Sequence, residues 1–524
     1  MKIVTAAQMA ALELASQRRG VTTDTLMENA GLAVAETSRR LLGGIAGAGV
    51  VILVGPGNNG ADGLVAARHL RRWGAKVAAY VVAGRPAVDP KMDLARAYDV
   101  EVISSGDDPG MDRLGQLMRS SRMIIDAVLG TGRARPLEGE VKEAMLRLRA
   151  RRAERDRPKI IALDLPTGLN SDSGEVDSAC PEVDVTVALG RPKAGLLAFP
   201  GAAWVGRLEV ADIGLPSDLE EEEAIALEML TPGWVGQRLP SRPLDSHKGS
   251  FGHALVVAGS RNYVGAAYLS SLAATRVGAG LVTLATPCSV YKIAAGKLTE
   301  VIHLPLPEDE EGRIHPDAAG LILNSLDRYN ALLMGCGLGW SQGTVEFVER
   351  LLLKDGPRVP TVIDADGLNN LSRLPQWWRR LGGPAAVTPH PGEMATLAGI
   401  STSQVQKDRI ETARRWAADW NVDVTLKGAH TVIAQPGGTV RVSHFANPGL
   451  ASGGTGDVLS GIIVGLMAQG LSAGDASCCG VYLHGLAAEN VRENIGESGT
   501  VASDLIGELP VVISQVRRQG GGIR

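Results

Sequence analysis

Short runs of apolar residues, bounded by glycine, alternate along this chain with longer amphipathic stretches. A first series falls at 50–54, 77–82, 123–127, 160–163 and 183–189. A second falls at 254–258, 281–285, 331–334, 361–364, 385–388, 422–426 and 431–435. Runs of this length that stay apolar instead of alternating read as strands buried on both faces. Separated by helices, they predict an α/β protein built on mainly parallel sheets with helices on each side. The two series are parted at 216–243, a stretch with several prolines and the acidic run 220–223. The break predicts two domains, 1–220 and 225–524, and no short repeat period suggests a solenoid.

Composition narrows the class. At 524 residues the chain exceeds what one core supports. The net charge of −4 gives no footprint for nucleic acid or an anionic membrane. No run reaches membrane-spanning length, and Met1-Lys2-Ile3-Val4-Thr5 lacks the apolar stretch of a signal peptide. Cys180, Cys288, Cys336, Cys478 and Cys479 form no C-x-x-C pair, which reads as reduced thiols in a cytoplasmic protein without a zinc site. The basic run 147–157 reads as a solvated helix face. Aromatics are 4% against 65 glycines, so function is expected in backbone-rich loops.

The densest such loop is Asn447-Pro-Gly-Leu-Ala-Ser-Gly-Gly-Thr-Gly-Asp457, which runs into an apolar helix. Glycines leave N–H groups unobstructed, and a helix start aims those donors and its positive dipole end at one point, which suits phosphate oxygens. A carboxylate there repels phosphate, so Asp457 is read as a base that takes a proton from a hydroxyl attacking phosphorus. Further motifs are His247-Lys-Gly-Ser-Phe-Gly252, Gly259-Ser260, Gly265-Ala-Ala267, Thr388-Pro-His-Pro-Gly-Glu393 and Leu426-Lys-Gly-Ala-His-Thr431. Each alone is ordinary turn chemistry; in this order they are expected to gather where strand carboxyl ends collect ligands.

With Gly335-x-Gly-Leu-Gly339 and Asp364-Ala-Asp-Gly-Leu-Asn369, these motifs resemble the ribokinase-like superfamily, and more closely the ADP-dependent NAD(P)H-hydrate dehydratases, over about 230–515. The resemblance implies a ribokinase-like α/β/α domain. It also implies a reaction in which a phosphoryl group passes to the C6 hydroxyl of hydrated NADH or NADPH and then departs as phosphate. Asp457 would be the catalytic base. Lys427, Gly428, Ala429, His430, Thr431, Gly454, Thr455 and Gly456 would hold the nucleotide, and Ala266, Gly337, His390 and Asp457 would line the hydrate site. His390 sits between two prolines that fix its backbone, which argues against a core histidine. Cys336 stands where the family more often has proline, a small neutral change expected to matter little. Mg²⁺ is implied with ADP, held by phosphates and water.

In the first half, the strand at 50–54 leads into Gly55-Pro-Gly-Asn-Asn-Gly-Ala-Asp-Gly63, a weak dinucleotide signal by glycine spacing. Asp126-Ala-Val-Leu-Gly-Thr-Gly-Arg-Ala-Arg-Pro136 and Asp164-Leu-Pro-Thr-Gly168 follow two other strands, so three loops with Asp and Gly suggest one ligand site. With Met27-Glu-Asn-Ala-Gly31, Lys193-Ala-Gly-Leu-Leu197 and Asp212-Ile-Gly214, residues 1–215 resemble the NAD(P)H-hydrate epimerases, which implies a Rossmann-like three-layer α/β/α domain. Carried over, Asn58, Asn59, Gly60, Ala61, Asp62, Gly130, Thr131, Gly132, Arg133, Ala134, Arg135, Pro136 and Asp164 would contact the hydrated dinucleotide. Asn59, Asp126 and Thr167 would coordinate K⁺, and Asp164 is the candidate acid–base group. Ala61 and Thr167 replace the family's common glycine and serine.

The expected partners are therefore hydrated NADH or NADPH and ADP, with no nucleic acid and no membrane, in a homo-oligomer. Two other readings stay open. The second half could be a kinase for a small vitamin-precursor alcohol, and the first half a binding module without catalysis. ADP and ATP are not distinguished by the residues themselves.

Overall fold

Seven parallel strands organise the first part of the chain: β1 (Gly49–Val54), β2 (Lys76–Val81), β3 (Glu101–Ser104), β4 (Met123–Ala127), β5 (Lys159–Leu163), β6 (Val185–Leu189) and β7 (Arg207–Ala211), in the spatial order β3-β2-β1-β4-β5-β6-β7. The coordinates are a computed structural model describing residues 1–86, 88–132, 136–354 and 358–519. By internal packing the chain divides into Met1–Ala226 and Leu227–Arg524.

Because side chains alternate across a strand, β1 feeds two cores. Val50, Ile52 and Val54 join one with the helices Ala6–Arg18, Thr23–Leu41 and Asn58–Arg72. Val51 and Leu53 join the other with Leu114, Met118 and Leu148, on the helices Asp112–Ser120 and Gly139–Arg152. This gives a three-layer sandwich. Strand order reverses between β1 and β4, and a crevice opens outside the carboxyl ends at such a point.

The second unit carries a ten-stranded sheet. Its strands are β8 (Leu227–Met229), β9 (His253–Val257), β10 (Leu281–Pro287), β11 (Ile302–Leu306), β12 (Ala331–Met334), β13 (Thr361–Ile363), β14 (Ala385–Val387), β15 (Asp423–Leu426), β16 (Val432–Ala434) and β17 (Val440–Val442). The order is β11-β10-β9-β12-β13-β14-β15-β16-β17-β8, with antiparallel pairing at β15–β16 and β16–β17 alone. One face carries the helices Val264–Arg276, Thr455–Ala468, Ala473–Asn494 and Ala502–Gln519, which share a core with Ala254, Val256 and Ala258 of the β9 segment.

β3, β7, β8, β11 and β17 have no counterpart among the apolar runs. All but β17 are sheet edges, and their side chains are partly exposed, so the apolar run that marks an interior strand is interrupted. Pro305 in β11 fits such an edge position. Within the basic run Arg149, Arg155 and Arg157 are exposed as expected, and Arg151 and Arg152 depart from that reading. Arg151 is buried with Nε on Met118 O at 3.3 Å, and Arg152 reaches Asp184 at 2.8 Å, so these cations tie the helix Gly139–Arg152 to the helix Asp112–Ser120 and to the residue ahead of β6. No helix among the described residues is long and apolar enough to cross a membrane.

Candidate functional site

In the second unit the glycine loop ends on Gly454, whose φ of 90° is left-handed and starts the helix Thr455–Ala468. A side chain on Gly456 would place Cβ 3.7 Å from Lys427 Nζ and 4.0 Å from Asp364 Oδ2, so the helix start, the end of β15 and the end of β13 meet at one point. Asp364, fully buried, ion-pairs through Oδ1 with Lys427 and accepts Ser460 Oγ on Oδ2 at 2.6 Å. Glu393 Oε2 lies 3.7 Å from the same ammonium. Burial opposes the Lys427 charge, but Asp364 and Glu393 outweigh it and hold the ammonium above its usual range.

Asp457 stands in the first turn of that helix. Burial, then the Asp364 charge, push its carboxyl up to about 6, against the Cys336 thiol hydrogen bond and Lys427. A proton acceptor poised near neutrality beside unpaired N–H groups at a helix start is suited to deprotonating an alcohol as phosphate binds.

The other expected residues fall as follows. Gly337 has φ 64°, and a Cβ there would come within 2.6 Å of Tyr263 Cβ and 2.9 Å of Ala266 Cβ, so Ala266 and Gly337 form one wall. Ser260 Oγ donates to Gly337 O at 2.8 Å. Pro389 O accepts the Lys427 N–H at 2.9 Å, fixing the His390 loop to the Lys427 loop. The His390 side chain is 57% exposed, and its Nδ1 caps the helix Pro391–Ala398 by accepting Gly392 N–H at 3.0 Å. Gly428 and Ala429 are exposed, and Thr431 Oγ1 donates to Gly428 O. His430 is buried with Nδ1 3.2 Å from Ser443 O, and burial lowers its pKa to about 4. Thr455 Oγ1 is taken by Leu450 O and Ser452 O, which leaves backbone amides as this loop's anion donors.

One expectation is corrected, and one residue gains a contact. The 247–252 motif lies before β9, where Lys248 O would meet a Cβ on Gly280 at 1.8 Å, ahead of β10. It therefore sits at the amino ends of the strands, apart from the other loops. Cys336 is fully buried and its thiol bonds the Asp457 carboxylate, so the residue touches the candidate base directly.

In the first unit a cleft of about 1140 Å³ opens at the reversal between β1 and β4. Asn58, Asn59, Asp62, Gly130, Thr131, Gly132, Pro136 and Asp164 line it; Arg133, Ala134 and Arg135 lie outside the described residues. Gly60 and Ala61 are buried in the same helix start, and a Cβ on Gly60 would lie 2.1 Å from Gly55 O. Asp164 has φ 70°, ion-pairs with the buried Lys193 and accepts Leu189 N–H on Oδ1 at 3.0 Å. Lys193 also donates to Leu189 O at 3.0 Å. Burial raises Glu13, which lines the cleft from the helix Ala6–Arg18.

Asp126 is wholly buried at the end of β4. It accepts Thr167 N–H at 2.8 Å and Thr167 Oγ1 at 2.7 Å, and burial pushes its pKa to about 6. No ion pair reaches it among the described residues. Asn59 borders the same loop, its Oδ1 3.3 Å from a Cβ on Gly130, and its buried Nδ2 has no partner among the described residues. Asp126 and Thr167 bring together a buried carboxylate that lacks a cation and a hydroxyl, oxygen donors suited to one weakly charged ion. No cluster of three or more His, Cys, Asp or Glu that would hold a metal occurs among the described residues.

Sequence reasoning assigned no role to Asp364, Glu393, Lys193 or Glu13. The tertiary fold brings each to its site, across 63 residues for Lys427 and Asp364, and local patterning carries no such information.

Known proteins match both units. Residues 254–511 fit the family model described as NAD(P)H-hydrate dehydratase, and 23–195 that described as YjeF-related protein N-terminus. A bifunctional NAD(P)H-hydrate repair enzyme of Moorella thermoacetica is 38% identical over 99% of this chain and 98% of its own. Another, from Thermofilum pendens, is 35% identical over 99% and 97%. The solved ADP/ATP-dependent NAD(P)H-hydrate dehydratase of Bacillus subtilis is 32% identical, covering 56% of this chain and all of that one, with a TM-score of 0.49. With relatives this similar along nearly its whole length, the chain belongs to the family of bifunctional NAD(P)H-hydrate repair enzymes.

Proposed function

We propose that the first unit interconverts the R and S forms of hydrated NADH and NADPH, and that the second removes water from the S form at the expense of ADP, giving NAD(P)H, AMP and phosphate. The observation that carries the second activity is Asp457, raised to about 6 and set in the first turn of a helix beside Lys427. Asp457 takes the proton of the C6 hydroxyl as that oxygen attacks the terminal phosphorus. Lys427 and the Gly454–Gly456 amides hold the charge that gathers on the phosphate oxygens. Phosphate then leaves C6 as the ring nitrogen supplies the electron pair, and loss of a C5 proton to water forms the C5=C6 bond and returns that pair to nitrogen. Mg²⁺ accompanying ADP would supply neutralisation of the phosphate charge beside Lys427.

In the first unit the cleft loops would grip the dinucleotide, and Asp164 is the candidate acid–base group at C6. K⁺, held by Asn59, Asp126 and Thr167, would supply the positive charge that buried Asp126 otherwise lacks. The cytoplasmic setting and a homo-oligomer belong to the same proposal.

Incubating the protein with hydrated NADH and either ADP or ATP, while following NADH absorbance, tests the reading. Recovery of absorbance with phosphate release is expected. A stable phosphorylated product without NADH would instead favour a kinase of a small alcohol.

A further inference from the structure

Four ionisable side chains share the cleft of the first unit: Asp164, Lys193, Glu13 and Asp62. They are not equivalent. Asp164 Oδ1 is committed to the Lys193 ammonium and to the Leu189 amide, so this carboxylate is anchored as the anion of a buried pair. Asp62 retains 6% of its exposure, and its Oδ1 is buried with no hydrogen-bond partner among the described residues. It stands in the helix Asn58–Arg72 that borders the cleft. A buried carboxylate oxygen without a donor is costly as an anion, but carries a proton without penalty.

Resting on the epimerase reading, we propose that Asp62 is the proton carrier of this site, while the Asp164–Lys193 pair acts as its fixed charged partner. Asp62 gives its proton to the C6 hydroxyl oxygen. The C6–O bond breaks, the ring-nitrogen lone pair forms a C6=N bond, and water leaves. The cation that remains faces Asp164, whose charge stabilises it. Water then adds to the opposite face of C6, the C=N electron pair returns to nitrogen, and the proton shed by that water restores Asp62 to its acid form. Atoms and charge balance over the cycle, and no outside reagent is needed.

The electrostatics agree. Burial, then the charges of Asp164 and Glu13, raise Asp62 well above the usual carboxylate range, against the weaker pull of Lys91 and Lys193. Lys91 is itself paired with Asp24 and Glu28. Two carboxylates share one cleft, one lifted by burial and one paired with Lys193, which divides acid from anion in the manner of other paired-carboxylate sites.

The experiment uses the full chain with R-enriched hydrated NADH and no nucleotide, and follows the R-to-S ratio. Asp62→Asn should lower the epimerisation kcat by about 10²-fold or more, within the range for loss of a general acid. Its KM should change by no more than about threefold. In the wild type kcat should fall as pH rises through the elevated Asp62 pKa. That limb should vanish from the residual rate of Asp62→Asn and move in Asp62→Glu. Dehydration of the S form with ADP should be unchanged, because the other unit carries it.

An Asp62→Asn protein keeping more than about a third of the wild-type kcat, or keeping the same alkaline limb, overturns the assignment. Should Asp62→Asn fail to fold, Asp62→Glu decides: a displaced limb supports the assignment and an unmoved one overturns it. A wild-type protein that does not accelerate equilibration at all overturns the epimerase reading, and the assignment with it.

Discussion

As the proposed base, Asp457 has to be an anion when the C6 hydroxyl arrives, yet it shares its surroundings with Asp364 and lies largely out of water. Burial and Asp364 together lift it to about 6, while Lys427 and the Cys336 thiol hold it from rising further. A base works in its deprotonated form, so kcat/KM for dehydration should fall as pH drops through about 6, and Asp457→Asn should cost about 10²–10⁴-fold. Cys336→Ala removes a hydrogen bond to the carboxylate and should move that limb to higher pH. Cys336→Ser, which keeps a donor, should leave it close to the wild type. A pH–rate profile of the three proteins checks both statements. An unmoved limb in Cys336→Ala would show that the thiol contact does not tune the base.

The helix that presents Asp457 is placed by how closely it approaches Val264–Arg276. A Cβ on Gly461 would lie 2.2 Å from Ser270 O, and one on Gly465 2.4 Å from Val277 Cγ1, so glycine sets the separation at both turns. Gly461→Val should force the helices apart, costing about 1–3 kcal/mol by overpacking and lowering dehydration through displacement of Asp457. Urea unfolding and the NADH-recovery rate measure the two effects, and a stable, fully active Gly461→Val protein would contradict the argument. In the first unit the ends of β4 and β5 meet through Asp126 and Thr167. Adding K⁺ in place of a bulky organic cation should raise the melting temperature of the wild type but not of Asp126→Asn. Equal shifts in both proteins would remove Asp126 from the K⁺ site.

Elements of this kind were legible in the sequence to different degrees. Interior strands such as β1, β4 and β12 are buried on both faces and show as unbroken apolar runs. The edges β3, β7, β8 and β11 face water on one side and read as mixed segments. Residues within one loop, Gly454 to Asp457 or Asn58 to Asp62, could be grouped by spacing alone. Asp364 with Lys427 and Asp164 with Lys193 could not, because each pair is joined by the order of strands in a sheet.

On the scale of the whole chain, two chemistries in sequence have a kinetic consequence. Hydrated NADH forms as a mixture at C6, and a dehydratase that accepts only the S form stalls once that form is consumed. With both activities present, the R form is fed forward and NADH recovery from a mixture should proceed to completion in one phase. In Asp164→Asn, recovery should begin at the wild-type rate and reach the S fraction. It should then continue far more slowly, since loss of the Asp164 charge that stabilises the cation at C6 slows the supply by about 10²-fold or more. Asp457→Ala should give the converse result, with no NADH recovered and the R-to-S ratio still brought to equilibrium. Following NADH absorbance and the epimer ratio together in the same three proteins separates the outcomes. A single-phase, complete recovery by Asp164→Asn would remove that residue from epimerisation. Loss of both activities in Asp457→Ala would show that the two units do not work independently.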